Sequence, residues 1–301
     1  MIVLGTSVAA TRRRRAAIHQ GETAMFERLS RSWTLVKASA SVLRSDKELM
    51  LFPVLSGLAT LAVLATFLVP AMALRVFDQG WSVVGVAGAF LFYFCQYSVI
   101  IFFNCALVGA AMIRLDGGDP TLGDGLRIAR ARIPSILGYA AIAATVGVLL
   151  QALKNGKNNF LVRLVGSGLG VAWTLATFLV VPVLVSRDLG PVDALKESVA
   201  LLKRTWGENA IGNVGIGLAF GLITFAAVLV AVALVVLAAQ ASVALAVVVG
   251  VLCVLGVLLL GIFQAALTGI YSATLYRYAV SHQVPPAFAG AQLEQAFVPK
   301  G

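Results

Sequence analysis

Side-chain amides fall well inside otherwise uncharged, apolar stretches of the chain, at Gln96, Asn104, Gln151, Asn213 and Gln264. An amide donates two N–H bonds and accepts at its carbonyl, so in a hydrocarbon setting it must find a partner. Two chemistries are open. The amides either bond neighbouring helices together, at about 0.6–2 kcal/mol each, or line a polar groove for a substrate. Gln96 and Asn104 are eight residues apart, roughly on one face of a helix, and with Gln264 they form a candidate intramembrane polar path. No Asp, Glu, Lys, Arg or His falls at mid-depth of these stretches. That weighs against proton-coupled carriage and leaves only a neutral or amphiphilic substrate for such a path.

Other chemistry is not spelled out. His19 and His282 lie in flanking segments, and Cys95, Cys105 and Cys253 lie in apolar runs where a thiol behaves as a small hydrophobe. No metal-ligand spacing and no nucleophile with a base emerge, so the reading is non-enzymatic, with no cofactor, no catalytic residue and no metal site. "GSGLG" at 166–170 and "GNVGIGLAFG" at 212–221 resemble phosphate loops only superficially, because neither follows a strand or ends in Gly-Lys-Ser/Thr. Gly166 with Gly170, and Gly217 with Gly221, instead have the spacing that lets helices approach closely.

The elements that must position these residues are membrane spans. The chain has 301 residues, 60% of them hydrophobic and 12% charged, about half the charge of an average soluble domain. Residues 49–74, 79–113, 133–153, 164–186 and 209–276 carry no charge. A span needs about 20 apolar residues, so the last run must fold back, near Ala239 to Ser242. The expectation is an all-α polytopic protein with six spans, at about 49–74, 82–113, 134–153, 164–186, 209–238 and 243–272. Residues 1–24 read as a basic N-terminal extension, 25–280 as the membrane domain and 281–301 as a cytoplasmic tail. The apolar piece of "MIVLGTSVAATRRRR" precedes its arginines, the reverse of a signal peptide, and Met25 is an alternative start.

The net charge of +10 is distributed by membrane side. The segment before span one, the loops after spans two and four and the tail hold nineteen Lys and Arg, against four in the alternate loops. By the positive-inside rule both termini are expected in the cytoplasm, and nucleic acid is not an expected partner.

Phe26, Leu29, Trp33, Val36, Ala40 and Leu43 recur at helical spacing, with Ser45 and Glu48 as an S-x-x-E cap. Val192, Leu195, Val199, Leu202 and Trp206 repeat the pattern behind Pro191, with Thr205 and Glu208 as the capping pair. Leu122, Leu126, Ala129 and Ile133, with Thr121 and Asp124 at the start, form a third copy. Each unit is thus expected to be a cytoplasmic amphipathic interfacial helix followed by a two-span hairpin. The basic side chains Arg28, Arg31, Lys37, Arg44, Arg127, Arg130, Lys203 and Arg204 are candidate contacts to anionic lipid headgroups. The same helices could instead pack on the ends of their own bundle. A protein partner or homo-oligomer is also expected.

The segments "FLVVPVLVSRDLGPVDALKESVALLKRTWGENAI", residues 178–211, and "MFERLSRSWTLVKASASVLRSDKELMLFPVLSGL", residues 25–58, resemble uncharacterised bacterial six-span membrane protein families. The first is also distantly similar to the membrane domain of some glycerophosphodiester phosphodiesterases, whose catalytic domain has no counterpart here. The resemblance implies fold and a bacterial inner membrane rather than an activity. Two roles remain: a protein that organises or senses the membrane or scaffolds a partner, and a transporter or lipid-translocating protein.

Overall fold

The computed structural model describes residues 34, 36–73, 83–155, 160–206, 215–281, 285 and 288. Among these residues the chain is helical and contains no strand. The helices are α1 (36–45), α2 (Leu51–Ala73), α3 (Val83–Leu115), α4 (Leu122–Ala131), α5 (Ile133–Asn155), α6 (Phe160–Thr177), α7 (Val180–Ser186), α8 (Pro191–Trp206), α9 (Gly215–Ala241) and α10 (Val243–Ser281). A short 3-10 turn, Lys47–Met50, links α1 to α2. Six helical segments are long and apolar enough to cross a membrane, the fourth made of α6 and α7 together. The chain is an all-α, multi-pass membrane protein.

The long apolar run folds back at Ser242, inside the expected turn. The Ser242 hydroxyl accepts the Leu245 N–H and so starts α10. Contacts of Val235 with Gly250 and of Thr224 with Gln264 place α9 and α10 antiparallel. Elsewhere α2 packs on α3 and α5 on α6, while α3 is the central helix, touching α2, α4, α5, α7 and α10.

The core is asymmetric. Leu49, Phe52, Leu107, Ile136, Leu184, Ile270 and Leu275 are fully buried, near the end where Arg114, Arg132, Arg187 and Arg277 stand. Toward the other end Leu58, Leu61 and Val69 of α2, most of α9, and α10 from Val243 to Leu259 present their apolar side chains outward. Such a surface is stable only with hydrocarbon as its solvent.

Close approach at the packed end depends on glycine. A Cβ on Gly125 of α4 would sit 2.7 Å from the Ala106 carbonyl oxygen of α3 and against the ring of Phe52, and one on Gly269 of α10 would collide with Leu107. The glycines expected to fill this role do not: a Cβ at Gly170 or Gly221 would meet nothing within 4 Å, and the side-chain positions of Gly166 and Gly217 lie outside the described residues. The small-residue spacing marks where helices could approach, whereas contact needs a partner on that face.

Two capping expectations separate here. Thr121 and Asp124 form a complete capping box at the start of α4. The pair at Ser45 and Glu48 does not form, because the Asp46 carboxylate, one residue nearer, accepts the Glu48 N–H at 3.1 Å. The Ser45 hydroxyl turns back to the Val42 carbonyl, and the Glu48 carboxylate accepts the Leu122 N–H at 2.7 Å, tying α4 to the entry of α2. Thr205 lies in the last turn of α8, and Glu208 lies outside the described residues.

Gly125→Ala should lower the unfolding temperature in detergent through about 1–3 kcal/mol of overpacking against backbone. Gly221→Ala, in an exposed helical turn with open space, should leave it unchanged or raise it by up to about 1 kcal/mol equivalent. Equal effects at the two positions would refute this account of the packing.

Candidate functional site

The charged end of the bundle is held by polar bonds between elements far apart in sequence. Arg132 pairs with Asp188 and the Ser135 hydroxyl bonds the Leu189 carbonyl at 3.0 Å, joining the start of α5 to the loop before α8. Arg187 pairs with Glu197 of α8 at 3.0 Å, Arg277 of α10 with Asp116 after α3, and Arg204 donates to the Ala279 carbonyl at 2.8 Å. Gly117, at φ +87°, ends α3 in the left-handed conformation, with the Gly118 N–H reaching back to the Ile113 carbonyl. These bonds gather the start of α2, the ends of α3, α7 and α10, and helices α4 and α8 at one end of the molecule.

Acids are used up in this scaffold, while several cations are not. Among the described residues, Arg44, Arg130 and Lys203 are exposed and make no ion pair. Arg127 points outward although it pairs with Asp124, and Lys37 is exposed. Arg204 is exposed yet committed to α10, and Arg28 and Arg31 lie outside the described residues. The amphipathic helices lie on the bundle: Val36, Ser39, Val42 and Leu43 of α1, Gly125 and Ala129 of α4, and Ala194, Ser198, Leu201 and Leu202 of α8 are buried. In α8 the buried stripe is rotated from the expected one, leaving Val192 half exposed, because small residues allow the closer approach to α6 and α7.

Burial also acts on charge. The Asp46 side chain is only 7% exposed and its second carboxylate oxygen has no partner. Burial pushes its carboxyl above the ordinary aspartate range, although the Glu48 N–H and the Arg114 charge pull the other way. Asp124 is shifted down by the Thr121 hydroxyl and N–H bonds of the capping box.

Span four is discontinuous. Helix α6 stops at Thr177 and α7 starts at Val180, with Phe178 and Leu179 as the break. Pro182 explains its place, since its ring excludes the carbonyl four residues earlier, that of Phe178. The Ser198 hydroxyl of α8, fully buried, closes the gap: it donates to the Ala176 carbonyl at 2.7 Å and accepts the Leu179 N–H at 3.2 Å.

Deeper in the bundle, two cavities flank the contact of α3 with α10. One of about 390 Å³ is lined by Asn104, Phe178, Gly261, Gln264, Thr268 and Ser272, and one of about 310 Å³ by Ser56, Gly57, Thr60, Phe103, Asn104 and Gly261 among others. Of the three residues of the expected polar path, the fold brings Asn104 and Gln264 together. Gln96 lines neither cavity, and its side-chain oxygen is buried without a partner. Eight residues is 2.2 helical turns, which sets Gln96 about 80° from Asn104. Gln264 accepts the Thr224 hydroxyl at 3.2 Å, an interhelical bond of the plainer kind. Ser56, Thr60 and Ser198 escaped the sequence reading; the first two have i, i+4 spacing on α2, the one signal that could have found them. Among the described residues no group of three or more His, Cys, Asp and Glu is placed to hold a metal.

Comparison with known proteins places this arrangement in a family. A family of unknown function, DUF6159, matches residues 83–285. The chain belongs to that family. The matched region takes in α3 to α10, and so the charged end apart from α1 and the start of α2, together with the Asn104 and Gln264 wall. No curated protein matches the chain, and the distant likeness to phosphodiesterase membrane domains finds no support.

Ser198→Ala should remove the partner of the buried Leu179 N–H and of the part-buried Ala176 carbonyl of span four, costing about 1–3 kcal/mol in unfolding measured in detergent. An unchanged midpoint would mean that Ser198 does not close the break. A second expectation concerns pH. The folded state holds the Asp46 proton more tightly than the unfolded chain, so stability falls as pH rises from the ordinary aspartate range through the raised folded value. Asp46→Asn, which keeps an oxygen for the Glu48 N–H, should remove that fall and melt higher than the parent at pH 7.

Proposed function

We propose that this DUF6159 protein is a non-enzymatic membrane-organising and partner-scaffolding protein of the bacterial inner membrane. In this reading its charged end, with both termini, faces the cytoplasm, and its spans pair as three hairpins, each preceded by one of α1, α4 and α8. The observation that carries the reading is the division of charge at that end. Acidic groups there are engaged as caps and latches within the chain: buried Asp46 on the Glu48 N–H, half-buried Glu197 on Arg187, and the exposed Glu48 on Leu122 and Asp116 on Arg277. Arg44, Arg130 and Lys203 are left outward on three different helices. Neutralising acids within the fold gives the outer rim a net positive field at the level where anionic headgroups lie.

The packing of the helices refines the role. Because their buried faces lie on the bundle, the rim offers charge more than apolar area to the bilayer. Attraction of about 1 kcal/mol per cation then orients the protein and enriches anionic lipid or an acidic partner segment around it. It does not insert an extra helix into the headgroup layer.

The test is lipid composition around the reconstituted protein. In nanodiscs made from mixed phosphatidylcholine and phosphatidylglycerol, the parent should retain phosphatidylglycerol preferentially. A variant carrying Arg44→Gln, Arg130→Gln and Lys203→Gln should lose most of that enrichment with its unfolding temperature unchanged. Enrichment that survives the three changes would overturn the proposed role of the rim.

A further inference from the structure

Halfway through the bundle the structure leaves polar side chains with nothing to bond. Asn104 lies ten residues before Arg114 on α3, hence about 15 Å from the charged end, or half of a roughly 30 Å hydrocarbon core. It stands in the wall shared by the two cavities. The other polar groups of the α7-side cavity have partners: Thr268 and Ser272 bond the Gln264 and Gly269 carbonyls of their own helix, and Gln264 bonds Thr224. Among the described residues the Asn104 amide makes no hydrogen bond, and neither do the hydroxyls of Ser56 and Thr60, one turn apart on α2. In hydrocarbon an unmet amide costs several kcal/mol.

We infer that the paired cavities around Asn104 are a binding site for a neutral amphiphile, a lipid whose uncharged head carries ester or hydroxyl oxygens. The head meets the Asn104 amide and the Ser56 and Thr60 hydroxyls, which together donate and accept. The tail follows the apolar remainder of the α2-side cavity, past Phe103, Val257 and Leu258. The head is neutral because no ionisable side chain lines either cavity, and an unpaired charge there would be costly. Access is lateral. Leu258, Gly261 and Ala265 are exposed sideways, whereas Leu49, Phe52, Leu107, Ile270 and Leu275, each at most 1% exposed, wall the cavities off from the charged end. There is also room, since a Cβ at Gly57 or Gly261 would meet nothing within 4 Å.

The site is independent of the cationic rim. Its test uses the full chain in phosphatidylcholine nanodiscs with a trace of diacylglycerol bearing a photoactivatable group in its acyl chain. After irradiation and digestion, label should concentrate in peptides covering 52–60, 100–108 and 257–265. Excess unlabelled diacylglycerol should compete it away and phosphatidylglycerol should not. Gly261→Phe, which fills both cavities, and Asn104→Leu, of similar volume without the amide, should each reduce this labelling about tenfold. Asn104→Leu should also raise the unfolding temperature, because it removes the unmet amide, and it carries the test alone if Gly261→Phe fails to fold. Label spread evenly along the outward face of α9, label unchanged in Asn104→Leu, or competition by phosphatidylglycerol would overturn the inference. The variant lacking the three rim cations should label as the parent does, so the rim and the cavity can fail separately.

Discussion

The close approach of α4 and α10 to α3 is the contact on which the rest of the packed end depends. Without a hydrophobic driving force between helices in lipid, association rests on van der Waals contact and on hydrogen bonds, both of which need backbones near one another. Gly125 beneath Ala106 and Phe52, and Gly269 beneath Leu107, provide that nearness. Once α4 lies there, Glu48 reaches its first N–H; once α10 lies there, Arg277 reaches Asp116. The polar latches therefore follow from the apolar contact. An exposed ion pair alone contributes little, so the latches fix register more than they hold the bundle together.

The same logic explains the broken fourth span. A proline in a membrane helix frees backbone groups that lipid cannot satisfy, and a neighbouring side chain must take them. Here that side chain comes from α8, a helix that otherwise reads as a surface element. Burying Ser198 between Ala176 and Leu179 ties the position of α8 to the geometry of span four. A force on the cationic face of α8 is thus borne directly by a membrane span.

How much of this was legible follows from the range of each signal. Hydropathy is a property of continuous sequence, so six spans and the turn near Ser242 could be read directly. The capping box at Thr121 and Asp124 is local and could be read too. The pair at Ser45 and Glu48 has the same spelling but fails, because Asp46 competes locally and Leu122, 74 residues away, claims the Glu48 carboxylate. Glycine spacing misled for the same reason: Gly125 and Gly269 matter through Ala106, Phe52 and Leu107, which no window around either glycine contains. Asn104 and Gln264 could be flagged as polar groups in apolar runs, but their meeting depends on the α3 and α10 contact. Gln96 belonged to the same flag and was separated by helical phase alone.

What emerges is a division of labour along the membrane normal. The packed half, with its glycine contacts and latches, contains the ion pairs and caps that join elements distant in sequence. The other half is bounded by lipid, so packing there is weakly specified and side chains such as those of α9 answer to hydrophobicity more than to shape. Asn104 sits at the boundary between the two halves, deep enough to be away from water and at the edge of the tight core. Most polar groups in the packed half are bonded by the fold, the second Asp46 oxygen being an exception, and one in the lipid half would be a plain cost. At the boundary the unmet Asn104 amide has both a fixed orientation and open space in front of it, and those are the two things recognition of a ligand requires.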